Sequence, residues 1–88
     1  RYTDAREQLL AWLAEVKQAK WLTPNDILDS FPSADFPGNH TVIFNIKGGH
    51  YRLIIRVRYA SVKAQGTVFI RWFGTHKEYN RIKDVREI

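Results

Sequence analysis

The chain has 88 residues and no cysteine, which excludes a disulfide framework and a thiolate metal site and leaves room for one small core. No apolar run approaches the roughly 20 residues that span a bilayer, and the opening RYTDAREQ lacks signal-peptide character, so a cytoplasmic location is expected. The net charge of +5 is unevenly divided: residues 1–46 carry four basic side chains against six acidic ones, and residues 47–88 carry ten against three. A cationic second half is what a polyanionic partner would meet, nucleic acid or acidic protein; the plain alternative is a solvated basic face. The start at Arg1 rather than methionine points to a fragment.

In chain order, Asp4 and Glu7 stand at capping-box spacing, and Leu9, Trp12, Leu13, Val16 and Ala19 recur every three or four positions. This predicts an amphipathic helix over about 4–19. Thr23-Pro24 predicts the start of a short helix over 24–29, closed by Phe31-Pro32. SADFPGNH reads as a loop. From Thr41 the period becomes two, and TVIFNIK, Gly48-Gly49 and HYRLIIRVRY predict a hairpin with a two-residue turn. Lys47 then opposes His50, Asn45 opposes Arg52 and Ile43 opposes Ile54. Tyr51, Leu53, Ile55, Val57 and Tyr59 share one face, and Arg52, Ile54, Arg56 and Arg58 the other. TVFIRWFG is expected as a third strand, with Val68, Ile70 and Trp72 opposite Phe69, Arg71 and Phe73, and a last short helix begins near His76. The fold class is therefore α+β: helices packed on one face of a small twisted antiparallel sheet, with the other face basic. Residues 1–88 are expected to form one domain, helical over about 1–30, with the sheet and final helix over about 41–88.

Asn45, Lys47, His50, Arg52, Arg56 and Arg71 then form a polar grid. Like charges opposed across strands repel by up to about 1 kcal/mol per pair, so their retention suggests phosphate binding, for which the planar guanidinium fork is suited. Arginine stems covering Ile54 and Phe69 would explain part of the pattern equally well. In GTHKEY, Gly74 ends the strand, Thr75 caps the helix, His76 offers an imidazole for proton transfer, Lys77 can reach phosphate, Glu78 is expected to be solvated, and Tyr79 can stack, donate a proton or pack. No metal-ligand spacing, nucleotide-binding glycine pattern or serine elbow is present. No cofactor is expected. Cations plus a histidine fit RNA strand cleavage, in which the 2′-hydroxyl is the nucleophile and the enzyme supplies proton transfer and charge stabilisation.

VIFNIKGGHYRLIIRVRY followed by VFIRWFGTHKEY resembles the HigB family of bacterial toxins, within the wider RelE-like group of messenger-RNA interferases, and DAREQLLAWLAEVKQAKWLTPNDILDSFPSA fits the same pattern. The resemblance implies a RelE-like fold and a type II toxin-antitoxin toxin that cleaves mRNA, commonly on the translating ribosome. It further implies a neutralising, DNA-binding HigA-like antitoxin, through which alone operator DNA would be met. Relatives begin with a strand and a helix ahead of the segment corresponding to Arg1, so truncation is expected. By position, Arg52 matches a phosphate-binding arginine of relatives, His76 a basic residue after the strand-ending glycine, and Asn45 and Lys47 a strand that carries lysines. The expected catalytic set is His76 for proton transfer, Arg52 and Arg71 as electrostatic clamps and Tyr79 to orient or stack the substrate, with Lys47, Asn45, Arg56 and Lys77 on the RNA backbone. The alternative is a non-catalytic module that binds RNA or the ribosome and blocks translation by occupancy.

Overall fold

The computed structural model describes residues 3–88. A 3₁₀ turn at Thr3–Ala5 leads into helix α1 (Arg6–Gln18), followed by α2 (Pro24–Ser30), strands β1 (Asp35–Gly38), β2 (Thr41–Ile46), β3 (Tyr51–Arg58) and β4 (Thr67–Thr75), and the single turn α3 (His76–Tyr79). The four strands form one antiparallel sheet in the order β1-β2-β3-β4. This is the expected α+β arrangement with one more strand than the sequence suggested.

The helical layer packs on the face of Val42, Phe44, Ile46, Leu53, Ile55 and Val57. Trp12 of α1, Trp21 between the helices and Ile27 of α2 complete that core, and Phe44 is its centre: the Trp12 and Phe31 rings meet it edge-on at 5.4 and 5.0 Å, and Trp21 stacks at 6.4 Å. Fully burying each such side chain contributes about 1.5–3 kcal/mol, which explains why a helix with exposed Leu10 and Leu13 still docks firmly through Trp12. Pro24 opens α2 behind the Thr23 cap, as the sequence predicted, and Asp26, which accepts the Thr23 N–H at 3.1 Å, completes a capping box.

Five expectations need correction. Asp4 does not cap α1; its carboxylate crosses to the sheet. SADFPGNH is not all loop, because Asp35–Gly38 pairs with β2 as an edge strand, where Pro37 is tolerated since its missing N–H is not required by a partner on the outer side. The β2–β3 turn is four residues long, Lys47 to His50, and Lys47, Gly48 and Gly49 all have positive φ (54°, 63° and 92°). The pairings Asn45–Arg52 and Ile43–Ile54 survive because the lengthening is symmetric. In β4 a register shift between the Ile54–Trp72 and Ile55–Ile70 pairs leaves Arg71 as the extra residue. The alternation flips there: Phe73 lies on the helical face, stacked on Tyr51 at 5.4 Å, and Trp72 joins the opposite face. Glu78, expected in solvent, accepts the Thr75 N–H at 2.8 Å and completes the cap of α3.

The second face of the sheet is not simply open to water. Ile43 and Ile54 are buried there, at 4% and 0% exposure, outside the main core cluster. The segment after α3 returns across this face and ends in a 3₁₀ turn at Val85–Glu87. Asn39 and Arg56 both donate to the Arg86 carbonyl, at 3.0 and 2.6 Å, and Arg71 Nε donates to the Ile88 main-chain oxygen at 3.0 Å.

Candidate functional site

The hairpin turn, the start of β3, the end of β4 and α3 meet at one end of the sheet. The His76 N–H donates to the His50 carbonyl at 2.9 Å, continuing the β3–β4 ladder one step past the Tyr51–Thr75 pair. Arg52 Nη1 donates to the Gly49 carbonyl at 2.8 Å, which holds the guanidinium against the turn. Its Cζ lies 5.6 Å from the Tyr79 ring centroid, and the His76 ring meets the same ring edge-on at 6.4 Å. Trp72 packs on Tyr79 from the strand at 6.3 Å. Tyr79 is thus a half-buried post between an arginine, an exposed imidazole and an indole.

Gly74 makes this junction possible. A Cβ there would lie 2.6 Å from the Trp72 ring and 2.8 Å from the Glu78 carboxylate, so the indole and the helix cap occupy the space of a side chain. Gly74 does not end the strand as the sequence suggested, since it pairs with Arg52 and β4 runs on to Thr75; its missing side chain admits Trp72 under α3. Thr75 accepts the Glu78 N–H at 3.1 Å, fixing the turn that presents His76 and Lys77 outward.

The predicted residues separate into two groups. Arg52, His76 and Tyr79 are brought together, with Lys77 exposed on the adjoining turn. Lys47 stands at the same turn, with its ammonium held 2.8 Å from Asp4 of the N-terminal segment. The same carboxylate accepts from the Tyr51 hydroxyl, and these two partners, Lys47 first, hold the Asp4 carboxyl below the ordinary carboxylate range. Asn45 is exposed one pair beyond the turn, its amide 3.5 Å from the Ser33 carbonyl. Arg56 and Arg71 are not part of the cluster: both point their guanidinium nitrogens at the returning C-terminal segment. Three contributors escaped the catalytic set read from the sequence. Asp4 was assigned to a helix cap, Trp72 to the other face, and His50 to the polar grid alone. A second imidazole directly before YRL was the available signal for the last.

Among the described residues no group of three or more His, Cys, Asp or Glu side chains is placed to hold a metal ion. None of their helices is long and apolar enough to cross a membrane. A family model described as HigB_toxin, RelE-like toxic component of a toxin-antitoxin system, matches residues 5–82. The chain belongs to the HigB toxin family. That match includes α1, the whole sheet and α3, so it covers both walls of the cluster. As the toxic component of a two-part system, a HigB toxin has a cognate antitoxin as partner. No curated protein sequence matches the chain significantly.

Proposed function

We propose that this HigB toxin is an endoribonuclease that cuts messenger RNA in the cytoplasm, on the translating ribosome, without a metal cofactor, and so stops translation. The observation that carries this reading is the convergence of Arg52, His76 and Tyr79 at a turn where a second imidazole, His50, is joined to His76 through the backbone. In the reaction the 2′-oxygen attacks the adjacent phosphorus while a base takes its proton, the bond to the 5′-oxygen breaks, and an acid protonates that leaving oxygen, giving a 2′,3′-cyclic phosphate end. Two imidazoles meet the need for one base and one acid. Arg52, held by the Gly49 carbonyl, offers a fixed guanidinium for the charge that builds on the phosphoryl oxygens. Tyr79 offers a ring for a base to stack on, and Lys47, Asn45 and Lys77 border the site where the RNA backbone would run. Residues 1–88 act in this reading as one toxin domain, neutralised by a HigA-like antitoxin that binds operator DNA.

The experiment is 5′-end mapping of messenger RNA after brief induction, with His76→Ala and Arg52→Ala alongside. New ends inside translated regions that vanish in both variants support the nuclease. Arrest of translation with no new ends replaces it with a module that acts by occupancy.

A further inference from the structure

Towards the other end of β3 from Arg52, on the same sheet face, lies a shallow groove of about 580 Å³. Its lining contains no acidic residue. Arg56, Arg58 and Arg71 border it; Arg56 and Arg58 are oriented by neutral acceptors, the Arg86 carbonyl and the Thr67 hydroxyl at 3.1 Å, and Arg71 by a main-chain oxygen of Ile88. None of the three pairs with a side-chain carboxylate among the described residues, and Arg56 and Arg58, held by neutral oxygens, keep their positive charge uncancelled. The returning segment carries two acids: Asp84 is engaged by Arg86 at 3.0 and 3.1 Å, and Glu87 is exposed and also acts on Arg86. His40 reaches the groove from the β1–β2 turn, where it and Asn39 adopt positive φ (58° and 54°), with the Asn39 amide anchored on the Arg86 carbonyl. Phe69 forms the wall on β4 with half of its surface exposed.

We infer that this groove is a subsite for single-stranded RNA, in which a base stacks on Phe69 while Arg58, Arg71 and His40 hold the flanking phosphates. An exposed aromatic ring beside cations is the arrangement by which proteins hold unpaired nucleotides. An acidic peptide would use the cations but has no need of the ring. Arg52 and Arg58 are six positions apart on β3, about 20 Å at the rise of a strand, or about six stacked nucleotides. The subsite would therefore engage the strand that leaves the cleavage cluster, and the inference rests on the nuclease reading of that cluster.

The test is fluorescence anisotropy with labelled oligouridylates carrying 2′-O-methyl groups, which bind without being cut. One is too short to leave the Arg52 cluster and one is long enough to reach Phe69. The long probe is expected to bind the unaltered toxin about tenfold or more tightly than the short one. That gain should be lost in Phe69→Leu and Arg58→Ala and kept in Phe69→Tyr and Arg58→Lys, with thermal melting confirming that each variant is folded. Equal affinity for the two probes, or a gain that survives Phe69→Leu, overturns the inference. So does poly-glutamate displacing the long probe from Phe69→Leu and the unaltered protein alike, which would mark a surface for an acidic protein. Because the probes are not cleaved, failure here is distinct from failure of the nuclease reading, which the mapping of cut messenger RNA decides.

Discussion

Arg52 and Arg56 sit on the same strand, face the same side and differ by four positions, yet the structure gives them different surroundings. Arg52 is fixed by a turn carbonyl and stands beside Tyr79 in the cluster containing His76. Arg56 is drawn to the main chain of the returning segment at 2.6 Å, and its Nε is buried with no acceptor among the described residues. The difference teaches that a row of arginines on a strand is not one functional surface. What crosses the sheet divides it, here into a cluster with chemical groups around it and a clamp that holds the C-terminal segment at Asn39, Arg56 and Arg71.

The largest expected effect tests the cluster. His76→Ala should lower the cleavage rate by about 10²–10⁴-fold, the usual contribution of a proton-transfer group, and single-turnover cleavage of messenger RNA in translating extracts measures it. If His50 shares the task, His50→Ala flattens one limb of the pH–rate profile, whereas a residue serving only to shape the turn would lower the rate equally at every pH. Next in size is Gly74→Ala, which drives a Cβ into Trp72 and Glu78 at 2.6–2.8 Å. Overpacking of this kind costs about 1–3 kcal/mol, and a urea melt with unchanged slope would report it.

Arg56→Ala sharpens the contrast from the other side. Its first effect should be on stability, a loss of about 1–3 kcal/mol for a hydrogen bond from a charged donor, accompanied by faster amide exchange in residues 82–88. The smallest effect concerns Asp4. Its carboxyl is held low by Lys47 and Tyr51, so the bridge contributes stability above the ordinary carboxylate pKa of about 4 and loses it as pH falls through the lowered folded value. Acid titration followed by NMR should show Asp4 moving upward in Lys47→Met, and Asp4→Asn should remove this part of the acid-side loss of stability.

The sequence was most informative where short-range chemistry acts alone. Thr23-Pro24 started α2, Thr75 capped α3, and the glycines between β2 and β3 preserved the predicted Asn45–Arg52 pairing even though Lys47 joined the turn. It was least informative where a residue serves a distant partner. Asp4 lies at helix-cap spacing from Glu7 but bonds to Lys47 and Tyr51, more than forty positions away. Asp35–Gly38 carries Pro and Gly and no alternation, and becomes a strand because β2 offers it an edge. The shift at Arg71 exchanged the faces of Trp72 and Phe73, since strict alternation cannot foresee an extra residue.

By itself the sequence determined the α+β class, the hairpin register and the basic second half, which follow from periodicity, turn residues and composition, and its quoted motifs carried the resemblance to the HigB family. Only the tertiary structure decided which cations stand beside the imidazoles and which hold the C-terminal segment, because that choice depends on the path of residues 80–88 across the sheet. No local pattern encodes that path; it is fixed by main-chain oxygens of Arg86 and Ile88 that meet Asn39, Arg56 and Arg71 far back along the chain.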